Sequence, residues 1–185
     1  MGSDRICITT TIVPAQGDWT CQQFTGLNFR DVAYNATATY KWVVTADAVS
    51  SVGKTIVTTQ NIGASGWTSG PNIGSSNLTS ISTIDGYYLL TETASSNLYS
   101  STDGSSWGSP ISSSIAGSAD FKEIKKINSL LYAVDGTTDT VYISEDDGNN
   151  WSAISSGSGN ALNDLTVSGS TLIVVGNNGV LKTSQ

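Results

Sequence analysis

The stretch Tyr142-Ile143-Ser144-Glu145-Asp146-Asp147-Gly148-Asn149-Asn150-Trp151 decides how this chain is read. A short apolar run enters the pattern Ser-x-Asp-x-Gly-x-x-Trp. Serine and aspartate side chains there accept hydrogen bonds from the amides of a tight turn, glycine permits a positive φ, and the indole closes over an apolar seam. The expected role of Ser144, Asp146, Gly148 and Trp151 is therefore structural.

The pattern recurs. Tyr99-Ser100-Ser101-Thr102-Asp103-Gly104-Ser105-Ser106-Trp107 is a version one residue tighter, which puts Ser101, Asp103, Gly104 and Trp107 in the same roles, and the two tryptophans stand 44 positions apart. Forty positions before Trp107, Gly63-Ala64-Ser65-Gly66-Trp67 is a degenerate copy that keeps Gly63 and Trp67 but has lost its aspartate. A fixed period near forty residues marks an architecture whose units bury their faces only against one another. Upstream of each tryptophan the alternation of apolar and polar residues predicts half-buried strands over 121–127, 130–134 and 140–144 in the third copy, and over 78–84, 87–91 and 97–101 in the second.

A fourth unit begins at Ala161, continues through Leu172–Val175 and reaches Val180–Gln185, where no such turn follows. The strand-like run Ile6–Val13 before Trp19 lies outside any complete unit. The expectation is that this N-terminal strand completes the last unit and closes a ring, because an open stack leaves unpaired edges. The chain thus reads as a single all-β domain, 1–185, an antiparallel β-propeller of four blades over 27–67, 77–107, 119–151, and 161–185 joined with 6–19. A ring completed by oligomerisation is the alternative.

On these residues the sequence resembles the Asp-box (BNR, sialidase-type) repeat family, found in sialidases, secreted glycoside hydrolases and propeller-type photosystem assembly factors. The resemblance covers most of the chain through its period, and the motif is sharpest at Ser144–Trp151. It implies a propeller whose boxes sit away from the ligand-binding face, so that Asp103 and Asp146 are not catalytic.

An enzyme is not expected. Sialidase-like chemistry needs three arginines, and the chain has two, Arg5 and Arg30; Phe29-Arg30-Asp31-Val32 matches only the start of a sialidase Phe-Arg-Ile-Pro motif. Glycoside hydrolysis needs two carboxylates across a cleft, yet Glu92, Glu123 and Glu145 are the only glutamates and many aspartates precede glycine in turn-like contexts. The chain contains no histidine, which removes the usual proton shuttle and Ser-His-Asp chemistry. No cofactor and no metal are expected. Cys7 and Cys21 read equally as a disulfide or as two buried thiols.

A net charge of −7 gives no footprint for nucleic acid or an anionic membrane, and apolar runs of strand length exclude a helical span. The N-terminus lacks the apolar core of a signal peptide. Lys122, Glu123, Lys125 and Lys126 form the one dense charge cluster, read as a solvated outer strand or a docking patch. Tyr34, Tyr40, Trp42, Tyr87, Tyr88 and Tyr132 are candidates for stacking on sugars, with packing between blades the competing reading. Asn35-Ala36-Thr37 and Asn77-Leu78-Thr79 match the glycosylation triplet, which a composition this rich in Asn, Ser and Thr produces by chance. The low-charge, Ser/Thr/Gly/Asn-rich composition resembles accessory proteins of tailed-phage particles in the head, tail or fibre. The expected function is non-catalytic interaction in a virion with other proteins of an assembly. Alternatives are a secreted or cell-surface glycan-binding propeller and a propeller-type assembly factor.

Overall fold

A computed structural model describes residues 5–9, 11–47, 53–58, 66–93, 95, 97–112 and 119–184. Four antiparallel sheets follow one another along the chain. Blade 1 comprises β3 (Asn28–Tyr34), β4 (Trp42–Asp47), β5 (Gly53–Thr58) and β6 (Thr68–Ile73), and blade 2 comprises β7 (Leu78–Ile84), β8 (Tyr87–Glu92), β9 (Asn97–Ser101) and β10 (Ile111–Ser112). Blade 3 is β11 (Phe121–Ile127), β12 (Leu130–Asp135), β13 (Thr140–Ser144) and β14 (Ser152–Ser155), and blade 4 has three strands, β15 (Leu162–Ser168), β16 (Thr171–Gly176) and β17 (Val180–Thr183). A separate hairpin of β1 (Arg5–Ile8) and β2 (Thr20–Gln23) precedes them. Within each of blades 1 to 3 the fourth strand follows the tryptophan, so the blade runs beyond the boundary expected from the repeat.

Strands within a blade are joined by hairpins, and in the two-residue turn Asp85-Gly86 both residues take positive φ (45° and 86°). That geometry suits an Asp-Gly turn and matches the twist of the flanking strands. The middle strands are apolar on both faces because a blade is covered on both sides. In β12, Leu131 and Ala133 join a cluster with Leu89, Leu98, Phe121 and Ile124 between blades 2 and 3, whereas Val134 joins Val141, Leu162, Leu165 and Val174 between blades 3 and 4. A third cluster, containing Val43, Leu78, Ile81, Tyr88 and Leu90, fills the seam between blades 1 and 2. Each fully buried Leu, Ile or Phe contributes about 1.5–3 kcal/mol through removal of its apolar surface from water.

Packing runs in chain order, β3 on β7, β7 on β11 and β11 on β15. The ring does not close as expected. β1 pairs with β2, not with β17, and among the described residues no strand pairs with the outer edge of β17. No contact comparable to those between successive blades joins blade 4 to β1, β2 or β3. The physical reason is local: Cys7 and Cys21 face each other across the hairpin and form a disulfide, which ties β1 to β2. Ile6 and Ile8 then pack with Phe24, Phe29 and Trp42 against buried Val44 and Trp67 of blade 1. Gln22 fixes the hairpin there, donating from Nε2 to the Trp67 carbonyl (3.0 Å) and accepting from the Trp67 amide (3.3 Å).

Candidate functional site: the inner-strand surface

The two turns picked out by sequence are satisfied within themselves. At the first, Ser144 Oγ donates to Asp146 Oδ1 (2.9 Å) and accepts from the Gly148 amide (2.9 Å), while the Asn150 amide donates to the same carboxylate (2.7 Å). At the second, Ser101 Oγ donates to Asp103 (3.0 Å) and accepts from the Gly104 amide (2.8 Å), and the Ser105 and Ser106 amides donate to Asp103 at 2.8 and 2.7 Å. Burial works against ionisation of Asp103, but these amide and hydroxyl bonds outweigh it and hold the carboxyl well below the usual range. Asp146 is likewise lowered, first by the Asn150 side chain and amide.

Both turns wedge between blades. A side chain at Gly148 would strike Leu98 of blade 2, and one at Gly104 would strike Tyr40 and Val43 of blade 1. Trp151 donates from Nε1 to the Gly148 carbonyl (2.9 Å) and lies 5.2 Å from the Phe121 ring. Trp107 packs 6.4 Å from Tyr88, with its buried Nε1 lacking a hydrogen-bond partner. Trp67 is buried beneath the N-terminal hairpin, and Gly63 lies outside the described residues.

Chemistry of another kind gathers along β3, β7, β11 and β15, the inner strands of the four blades. In each, the register with the next strand slips at the same place, at Phe29/Asp31, Leu78/Ile81, Phe121/Glu123 and Leu162/Asp164. A bulge of this kind re-aims side chains. Asp31, Ser80, Glu123 and Asp164 occupy equivalent positions beside it.

Asp31 Oδ2 accepts from Ser80 Oγ (3.1 Å) and the Ile81 amide (2.9 Å), which ties blade 1 to blade 2. Lys125 donates to Asp164 (3.1 Å) and to the Leu165 carbonyl (2.7 Å), and it lies 3.8 Å from Glu123. Burial pushes the Glu123 carboxyl up to about 7; Lys125 opposes the shift, and the charges of Asp31 and Asp164 add to it. The protonation of Glu123 thus changes near neutrality.

At the starting end of these strands, the Arg30 guanidinium grips the carboxylate of Asp47, and Lys122 pairs with Asp120 at 2.6 Å. The Asp120 Oδ1 is buried without a hydrogen-bond partner. Glu92, fully buried at the end of β8, accepts from the amides of Ser75 and Ser76 and from Tyr99, Asn97 and Ser95. Burial would raise it, and these donors more than reverse that.

The Lys122–Lys126 cluster therefore lies on an inner strand, not an outer one. All three lysines are paired, Lys126 bridging Asp85 (2.5 Å) and Asp147 (2.9 Å). Among the aromatic candidates, Tyr88 is buried and donates to the Tyr40 carbonyl (2.8 Å), whereas Tyr34 is exposed and packs at a tilt against Trp42, ring centroids 4.7 Å apart. Asn35 is buried, donating to the Gly86 carbonyl (2.7 Å). Among the described residues no three Cys, Asp or Glu side chains assemble as a metal site.

No known protein family and no curated protein matches the sequence. Solved structures do match in shape. YCF48 bound to D1 peptide superposes with a TM-score of 0.65 at 13% identity, covering 92% of this chain and 54% of that one. The nidogen/laminin complex gives 0.65 at 14% identity over 96% of this chain and 68% of that chain, and the computationally designed Ika4 protein gives 0.59 at 11% identity over 96% and 98%. This chain spans about half the length of the YCF48 chain. The fold is that of a β-propeller, all-β and antiparallel throughout.

Proposed function

We propose that this chain is a non-catalytic, protein-binding propeller of the Asp-box type, working as a structural or attachment component of a virion. The observation that carries this reading is how the Ser-Asp-Gly-Trp turns are used. Asp103 and Asp146 are engaged by their own turns, and the two turns are wedged between blades, so these residues serve the scaffold. What is left to meet a partner is the inner-strand surface with Arg30, Glu123 and Lys125, together with the ends of the arc. YCF48 was solved with a D1 peptide and nidogen with laminin, and both support protein recognition by this shape.

The virion assignment rests on composition: few charges, abundant Ser, Thr, Gly and Asn, and no histidine. It is tested by quantitative mass spectrometry of gradient-purified particles from a lysate of the source. The chain is expected at a fixed stoichiometry to the major capsid protein; its confinement to the unsedimented fraction would refute the role.

A second reading, binding of surface glycans, is favoured by exposed Trp19 and by exposed Tyr34 against Trp42, since such rings stack on sugar faces. A glycan array separates the two. Binding to one defined sugar, lost in Tyr34→Ala, supports the lectin role, and a silent array rejects it.

A further inference from the structure

We infer that the two ends of the arc are complementary halves of one inter-blade seam, and that a second copy of this chain joins head to tail across them. The inference does not depend on the identity of any other partner.

The repeat supplies the comparison. Val32 of β3 is equivalent to Ile81, Ile124 and Leu165, which lie in the seams between successive blades. Those three are 3%, 0% and 2% exposed, whereas Val32 is 51% exposed. At the other end, Val175 and Leu181 of blade 4 are equivalent to Val134 and Val141 of blade 3, which carry blade 4. The blade 3 pair is 0% and 5% exposed, and the blade 4 pair is 37% and 68% exposed. One end of the molecule presents a seam position without its cover, and the other presents the cover without its seam.

The hairpin accounts for why Val32 alone is left open. In blade 1, Trp67 directly precedes β6, and four residues separate β6 from β7. Trp19 likewise directly precedes β2, and β2 is followed at the same spacing by β3. The hairpin therefore stands where the outer half of a preceding blade would stand, and it shelters Val44 and Trp67 but not Val32. Where the inner half would lie there is a cleft of about 450 Å³, bordered by β1, Phe29, Val32 and Trp42, with Arg5 and Arg30 at its margin. Among the described residues blade 4 is a three-stranded sheet that retains its inner strands. It supplies what the hairpin does not.

The occupant is a second copy, because this chain displays both halves of the joint and does not bring them together within itself. A contact between two different patches is heterologous, and it closes when its rotation completes a ring. A ring of two is the assembly expected here.

The test is sedimentation velocity over a concentration series on the 19.2 kDa chain and its variants. The parent is expected to shift with concentration to twice its monomer mass. Val32→Asp alone and Leu181→Asp alone should each abolish the closed dimer while keeping the parent's circular dichroism and, at a concentration where the parent is itself monomeric, its melting temperature, since both side chains are largely exposed. An equimolar mixture of the two variants should recover a 1:1 dimer, because one intact seam remains between an unmodified Val32 end and an unmodified Leu181 end. A parent that stays monomeric at every concentration, a dimer indifferent to both substitutions, or a mixture that fails to associate would each overturn the inference.

Discussion

The seam between blades 2 and 3 and the two ends of the arc are built from the same repeat, yet their physical states differ. Between blades 2 and 3, Leu89, Leu98, Phe121 and Leu131 are wholly buried and Trp151 closes the edge with a hydrogen bond to Gly148. At the ends, equivalent apolar positions face solvent or a small disulfide-tied hairpin. A propeller blade is therefore not a self-sufficient unit. Its middle strand is apolar on both faces, and its stability depends on what stands on either side.

The largest expected effect is in the interior. Trp151→Ala should lower stability by about 4 kcal/mol, because it removes the ring contact with Phe121 and opens a cavity between blades 2 and 3. Urea unfolding measures this, and a loss below about 1 kcal/mol would mean that the turn does not clamp the seam. The next prediction pairs a buried with an exposed leucine. Leu131→Ala should cost about 3 kcal/mol, and Leu181→Ala no more than about 0.5 kcal/mol in the monomer. Equal costs would erase the distinction between seam and end.

The third prediction is electrostatic and belongs to the inner-strand surface. Glu123 titrates at about 7 in the folded chain against an ordinary value near 4.5. Between those values the native state holds a proton that the unfolded state has released, so stability falls as pH rises through that window. Thermal melts from pH 4.5 to 8 should show the decline, and Glu123→Gln should flatten it. A profile identical in the two proteins would place Glu123 in a solvated site.

Much of this fold is legible in the residues. The strands of blades 2 and 3 coincide with the alternating runs, helped by strong punctuation where β7 ends at Asp85-Gly86 and where β9 and β13 end at Ser-Asp-Gly-Trp turns. The fourth strands are harder to read. β14 is Ser152-Ala153-Ile154-Ser155, exposed throughout, and β6 carries Gly70 and Pro71, which normally mark irregular or edge positions. Pairing at an edge gives them their form, and no local signal announces it.

Closure of the ring was unreadable for a related reason. An unpaired edge at Val180–Thr183 and a strand-like run at Ile6–Ile8 are compatible on paper, but the disulfide and the Gln22–Trp67 bonds hold the run elsewhere. Of the candidate site, the recurrence of an acid two residues after Phe29, Phe121 and Leu162 was visible in the sequence. Its placement beside a bulge on the inner strands was not, because charged residues at alternating positions look like a solvated face.

The central claim is that the N-terminal hairpin belongs to blade 1 and leaves blade 4 open. Hydrogen exchange on the chain lacking residues 1–23, at a concentration below any self-association, tests it most directly. Faster exchange in β3 to β6 with β15 to β17 unchanged is the result predicted; faster exchange in β15 to β17 would contradict the claim and restore a ring closed by the N-terminal strand.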